Sequence, residues 1–263
     1  MDSIMKEMLF STAKQWVLEA GEHIRSEMFN PMKIATKADP NDLVTSLDQE
    51  TEKFFLRKIK ENFSNHKLFG EEGYGDTVTN LDGTIWIVDP IDGTMNFVHQ
   101  KRNFCISVGI YHNGIGEIGI IYDVVADNLY TAIKDHGAYK NERKLAPLDG
   151  NKPIEEAVVG MNHFWLCENS VVDFRKSQQL VKKIRGTRTY GSAALEFAFV
   201  AEGVLDSYLA LRLSPWDVAA GMIIVREVGG LTTDITGKPL SLLTKSSVLT
   251  GNMAIHEKIV NHF

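Results

Sequence analysis

At 263 residues the chain can form one large domain or two closely joined ones, with ample material for a core. Its 44% hydrophobic and 24% charged residues are those of an ordinary globular enzyme. A formal net charge of −6 without any basic block argues against a general nucleic-acid binder, and no apolar run approaches the ~18 residues of a membrane span.

The predicted elements alternate along the chain. Ile4, Met8, Leu9, Ala13, Trp16, Val17, Ala20 and Ile24 recur at helical spacing, which predicts a long amphipathic helix over 4–29. Thr45 or Ser46 can cap a second helix whose Phe54, Phe55, Ile59 and Phe63 face inward. A strand-rich middle follows at 84–89, 105–111, 116–122 and 128–133, with Asn113-Gly114 as a hairpin turn. Turn residues then cluster near 135–155. Beyond them come a strand at 157–161, a helix near 170–184, a strand at 187–190, a helix at 192–202, a strand at 205–213 and a helix at 216–228. Such alternation favours an α/β half. The expected division is an N-terminal α+β half, 1–146, and a C-terminal α/β half, 147–263. No internal repeat is visible.

Three acidic clusters interrupt this pattern. In Trp86-Ile87-Val88-Asp89-Pro90-Ile91-Asp92-Gly93-Thr94-Met95-Asn96, an apolar strand runs into two aspartates three residues apart, with the turn stiffened by Pro90. Hard cations such as Mg2+ need several oxygen ligands, usually one or two carboxylates completed by phosphate and water. Gly93 and Thr94 add free backbone N–H groups at a helix start, where a phosphate is stabilised. The second cluster is Gly70-Glu71-Glu72-Gly73, and the third is Ser214-Pro215-Trp216-Asp217 at the start of an apolar helix. Each alone reads as a turn or a helix start. Three of them at the ends of apolar elements read as one metal site.

Other chemistries find little support. No G-x-x-x-x-G-K-[ST] phosphate loop occurs, and the eight histidines form no H-E-x-x-H pair. Cys105 and Cys167 are expected to be small buried hydrophobes. Gly191-Ser192-Ala193-Ala194 lacks a G-x-S-x-G frame and reads as a helix N-cap. The start Met1-Asp2-Ser3-Ile4-Met5-Lys6-Glu7 lacks signal-peptide character, and two unpatterned cysteines suit a reducing interior, so a cytoplasmic location is expected.

GEE, WIVDPIDGTMNF and SPWDVAAG, in that order, resemble the inositol monophosphatase family of Mg2+-dependent, lithium-sensitive phosphatases. The likeness runs from Lys37-Ala38 and Asp42 through Asp48 to Val228-Gly229-Gly230. It implies a layered αβαβα sandwich of the sugar phosphatase type, with the site in the crevice between the halves, and a homodimer. It also implies roles for residues. Glu71, Asp89 and the Ile91 carbonyl would bind a first metal; Asp89, Asp92 and Asp217 would bind a second; a third would rest on Glu71 through water. The ions would be Mg2+, with Mn2+ as an alternative. Thr94 and Glu71 would orient and deprotonate the attacking water, with Asp48 behind Thr94. Lys37, Asp92, Gly93, Thr94, Gly191, Ser192, Ala193 and Asp217 would face a small phosphorylated metabolite. The haloacid dehalogenase loop, D-x-D-G-T, sets its carboxylates two residues apart, and the spacing here is wrong for it.

One departure bears on substrate. Animal inositol monophosphatases carry a glutamate seven residues before the W-D aspartate; here that position is Ala210, whose side chain accepts nothing. Arg212 follows two residues on and, in a regular strand, shares its face. This face is therefore expected to tolerate a second anionic group, as in fructose 1,6-bisphosphate or NADP. A non-catalytic, metabolite-binding regulator is the alternative from another class. It is disfavoured because every expected metal carboxylate is retained.

Overall fold

The computed structural model describes residues 1–36 and 43–263. Helix α1, Ser3–Glu27, is capped by Asp2 and buries Leu9, Ala13, Trp16, Val17, Ala20 and Ile24. A short antiparallel pair, β1 (Ile34–Thr36) and β2 (Leu43–Thr45), leads into α2, Ser46–Asn62. β3 (Lys67–Gly70) then runs parallel to β4 (Thr84–Asp92), and α3 (Thr94–Gln100) follows at once. β5 (Cys105–His112), β6 (Ile115–Asp123), β7 (Asn128–Ile133), β8 (Gly137–Lys140) and β9 (Arg143–Lys144) continue antiparallel, giving a seven-stranded sheet in simple order from β3 to β9. Asn113 and Gly114 take φ of 48° and 77°, so the Asn-Gly pair makes the expected hairpin turn.

The second sheet begins at β10 (Val158–Met161). It continues through α4 (Phe174–Lys183), β11 (Gly186–Arg188), α5 (Ala193–Glu202), β12 (Ser207–Leu213), α6 (Pro215–Glu227), β13 (Gly230–Thr233), β14 (Ser246–Asn252) and α7 (Met253–Val260). Its order is β11-β10-β12-β14-β13, parallel around β10 and antiparallel around β14. The β1, β2, β3, β8, β9, β13 and β14 strands and α7 were not foreseen as elements; β1, β2, β3, β8 and β9 are four residues or fewer, and β14 mixes polar and apolar residues without a clean period.

Three hydrophobic cores define five layers. α1 and α2 cover one face of the first sheet through Trp16, Phe55, Ile59, Trp86 and Val88. The opposite face, carrying Ile85, Ile87 and Ile121, packs on α5 and α6 together with Tyr208, Ala210 and Val248 of the second sheet. The far face of that sheet, with Val159, Leu209 and Leu249, is closed by Leu180 of α4 and by Ile255 and Ile259 of α7. Strand alternation drives this arrangement: Ile85 and Ile87 point one way, Trp86 and Val88 the other. The result is the αβαβα sandwich. No described helix is long and apolar enough to cross a membrane.

Of the two cysteines, Cys105 is buried as expected, but Cys167 is exposed. The short 3-10 turn His163–Leu166 sends Trp165 into the core, and Cys167, just after it, lies outside.

Candidate active site

Four helix starts and one loop converge at the C-terminal end of β4. Asp89 and Asp92 lie at the end of that strand, both buried. The Asp89 Oδ1 accepts the Ile91 N–H at 3.0 Å, which closes the turn around Pro90. Gly93 caps α3 with φ of 94°, a left-handed conformation natural to glycine. A side chain there would press on the Asn103 carbonyl and the Ser192 Cβ, each 3.1 Å from where its Cβ would stand. Thr94 opens α3, its hydroxyl 3.1 Å from the Ile91 carbonyl and 3.2 Å from Asp48 Oδ1.

Asp48 and Asp217 each play two parts. Both stand at the third position of a helix and complete a capping box, Asp48 with Thr45 and Asp217 with Ser214. The Thr45 N–H donates to Asp48 Oδ2 at 2.9 Å, and the Ser214 N–H to Asp217 Oδ2 at 2.7 Å. Helix-start chemistry and site chemistry therefore share the same side chains. Pro215 at the first helical position pre-sets the backbone of α6.

Oxygens of Glu71, Asp89 and Asp217 all lie within 4.8 Å of one another. Asp92 is committed to the first turn of α5, where Ser192 Oγ and the Ala194 N–H each donate to Oδ2 at 2.6 Å, and the Ala193 N–H reaches Oδ1 at 3.3 Å. Ser192 also caps α5 by accepting the Leu195 N–H. The sequence thus correctly read Ser192 as a cap, and the structure adds its bond to Asp92.

Crowding like charges in a buried place should raise their pKa values. Burial, then the neighbouring Glu71, Asp92 and Asp217, push Asp89 well above the usual carboxylate range. Burial, then Asp92 and Glu71, do the same to Asp217, which Lys245 offsets only weakly. Asp92 is raised to about 6 by burial, held back by its Ser192 and α5 donors. Asp48 also rises to about 6 through burial, against the pull of its Thr45 bonds. A set of hard oxygen donors that repel one another while uncompensated suits a small divalent cation.

Ala210 and Arg212 line one cavity of about 720 Å3 with Asn162, Phe164, Asn169 and Tyr208. Strict alternation does not carry through here, because the β12–β14 register shifts between Ala210 and Leu213. All of residues 210–213 line this cavity, whichever face of the strand they leave from. Lys37 lies outside the described residues.

Three residues that the sequence did not single out hold these loops. Glu52 of α2 accepts backbone N–H groups of the Glu71 loop, Asn96 donates to the Asn103 and Tyr190 carbonyls at 2.8 and 2.7 Å, and Glu196 accepts the Tyr190 N–H at 2.9 Å. Glu52 left a sequence signal, since it lies on the inward stripe Asp48, Glu52, Phe55, Ile59 where an apolar residue belongs.

The family model described as the inositol monophosphatase family matches residues 5–263. The inositol-1-monophosphatase of Bacillus subtilis strain 168 is 54% identical over 251 residues, covering 95% of this chain and 94% of the relative. The staphylococcal protein SaIMPase-II, in a crystal structure with inositol monophosphate bound, superposes with a TM-score of 0.87 at 39% identity, over 97% of this chain and 92% of that one. An inositol monophosphatase/NADP phosphatase crystallised with Mg2+ and phosphate superposes with a TM-score of 0.89 at 26% identity, over 98% and 95% of the two chains.

Proposed function

Since the chain belongs to the inositol monophosphatase family, we propose that it is a Mg2+-dependent phosphomonoesterase releasing inorganic phosphate and the alcohol from inositol monophosphate or a related polyol or sugar phosphate. The observation that carries this reading is the gathering of Glu71, Asp89 and Asp217 oxygens within 4.8 Å beside the Gly93–Thr94 helix start.

The donor set fits Mg2+: carboxylate oxygens at several points, with the Ile91 carbonyl beside them. In this reading Glu71, Asp89 and Ile91 hold one ion, and Asp89, Asp92 and Asp217 another, with two to three ions in all. When bound, Mg2+ neutralises the phosphate, lowers the pKa of water and stabilises the leaving alkoxide. Glu71 and Thr94 orient the attacking water, and Glu71 takes its proton. Thr94 can play this part because its hydroxyl is held between the Ile91 carbonyl and Asp48. The Gly93 and Thr94 N–H groups face the phosphate, and Gly191, Ser192 and Ala193 face the polyol. Residues 1–146 and 147–263 act as one compact cytoplasmic unit, paired with a second copy as a homodimer.

A second substrate reading has its own support. Ala210 and Arg212 line one cavity of about 720 Å3, in which Arg212 is the cation and Glu168 the acid, and in this reading the second anion of a bulkier leaving group meets Arg212. Fructose 1,6-bisphosphate and NADP are the candidates. A purely regulatory role is disfavoured by the complete carboxylate set.

Phosphate release from inositol 1-phosphate, measured with Mg2+, with chelator and across a lithium titration, tests the principal reading. Mg2+-dependent release that lithium suppresses is expected; no release from any of inositol 1-phosphate, fructose 1,6-bisphosphate or NADP would overturn it.

A further inference from the structure

Outside the carboxylate cluster, Glu52 is a buried acid that the proposed chemistry does not use. Its side chain is wholly enclosed. An enclosed carboxylate costs several kcal/mol unless donors replace the lost water. The donors here are backbone groups from one short loop: the Glu72 N–H reaches Oε2 at 2.6 Å and the Tyr74 N–H reaches Oε1 at 2.7 Å. Gly70, just before that loop, can carry no side chain because the Glu52 carboxylate occupies the place its Cβ would take.

We propose that Glu52 is a positioning residue, which fixes where the Glu71 carboxylate stands relative to Thr94. α2 does this with one face. Asp48 holds the Thr94 hydroxyl, and Glu52, one turn further along, holds the backbone on the C-terminal side of Glu71. The two side chains assigned to the attacking water are thereby tied to a single rigid helix, so their separation does not depend on the loop itself. That loop has a second anchor at its mouth. The Asp76 N–H donates to the Leu68 carbonyl at 2.6 Å, the Leu68 N–H donates to Asp76 Oδ2 at 2.8 Å, and Lys60 pairs with Asp76 at 3.0 Å. Without Glu52 the loop stays attached at its base while its tip loses two acceptors. The predicted loss is therefore one of geometry at Glu71, not of the fold. Precision of this order matters, because a displacement of about 1 Å in a metal site or near-attack arrangement costs affinity and rate.

The inference rests on the reading of Glu71 as a metal ligand, and the test separates the two. Glu52→Gln keeps the shape of the side chain but replaces one acceptor with an NH2 that faces a backbone N–H. Mg2+ binding to the variant is measured by titration calorimetry, without substrate, alongside steady-state kinetics and the unfolding temperature in chelator. The expected result is Mg2+ affinity weakened about 10- to 100-fold, as for other groups that orient metal ligands. The KM for inositol 1-phosphate at saturating Mg2+ should be unchanged, and the unfolding transition should remain cooperative. Glu71→Gln is the control. If Glu71→Gln binds Mg2+ like the parent, the metal-ligand reading itself is wrong. If Glu71→Gln loses Mg2+ but Glu52→Gln titrates like the parent, the positioning role alone is overturned. Should Glu52→Gln fail to fold, Tyr74→Pro, at an exposed loop position, removes one of the loop's N–H donors to Glu52 without touching the core. The same loss of Mg2+ affinity is expected there, and parental affinity would overturn the proposal.

Discussion

The Ser192 hydroxyl donates to an Asp92 carboxylate oxygen at 2.6 Å, joining the end of β4 to the first turn of α5 across a hundred residues of chain. The bond favours the ionised form of a carboxylate that burial still holds at about 6 against it. Ser192→Ala should therefore raise the Asp92 pKa further and let protons compete better with Mg2+. A hydrogen bond to a charged group is worth about 1.5–3 kcal/mol, so Mg2+ activation near pH 6 should weaken about tenfold or more. The deficit should shrink as pH rises. A rate profile whose acid limb does not move would leave Ser192 as a helix cap only.

Asp89 sits among Glu71, Asp92 and Asp217, and its own charge is disfavoured by burial and by all three. Asp89→Asn should have two opposite effects. Turnover should fall by about 10²–10³-fold or more, as when a preorganised charge partner is removed from an active site. The metal-free protein should become more stable at neutral pH, because Asn needs no proton to stay neutral in this buried place while its side-chain oxygen can still accept the Ile91 N–H. A variant that keeps substantial activity would show that the ligand assignment is wrong.

The same crowding predicts proton release when the ions bind. Asp89 and Asp217 are held well above the usual carboxylate range, and Asp92 stands at about 6. The metal-free fold therefore holds protons that the unfolded chain has already lost, and its stability falls as pH rises from the ordinary carboxylate range through these raised values. Mg2+ displaces those protons, so its affinity should increase with pH. Calorimetric titrations near pH 6.5 in two buffers of different ionisation heat should report net proton release that fades toward higher pH. Equal heats in both buffers would contradict it.

Arg212 lines the cavity that begins at Ala210, and it is exposed. Arg212→Ala should reduce kcat/KM for fructose 1,6-bisphosphate or NADP about tenfold more than for inositol 1-phosphate, the size of one charge-assisted hydrogen bond. Equal relative losses for all three substrates would remove the case for a second anion site.

Much of this centre was legible in the sequence because its ligands sit where regular elements begin or end. Asp89 closes an apolar strand, and Asp217 follows Pro215 into a helix, so pattern and chemistry point to the same residues. The periodicities gave long amphipathic helices and an α/β second half, while the five-layer order was an expectation from the family resemblance alone. The supporting acids were not legible in the same way. Glu52 and Glu196 each interrupt an inward helix face, and only the fold reveals which distant backbone N–H groups they meet. The register shift between Ala210 and Leu213 was hidden for a related reason: a bulge is a property of the β12–β14 pairing, and the partner strand lies some forty residues away.

Glu196 offers a test that does not involve the metal. Its Oε1 accepts the Tyr190 N–H at 2.9 Å, while Oε2 is buried with no hydrogen-bond partner among the described residues. Burial, the largest cause, raises its pKa to about 7, above the 4.5 of an ordinary glutamate, with the Tyr190 and Gly191 N–H groups pulling the other way. Between those two values the folded protein holds a proton that the unfolded chain releases. The carboxyl therefore costs little stability below pH 4.5, progressively more up to pH 7, and a constant amount above it. The full penalty is roughly 3 kcal/mol at most, since one pKa unit corresponds to about 1.4 kcal/mol. Glu196→Gln cannot ionise, yet it keeps a carbonyl for the Tyr190 N–H. At fixed Mg2+ its unfolding temperature relative to the parent should climb between pH 5 and pH 8, by about 2–4 °C for each kcal/mol. A difference that stays constant over that range would mean that Glu196 ionises in the fold as readily as in the unfolded chain, which would overturn the raised pKa.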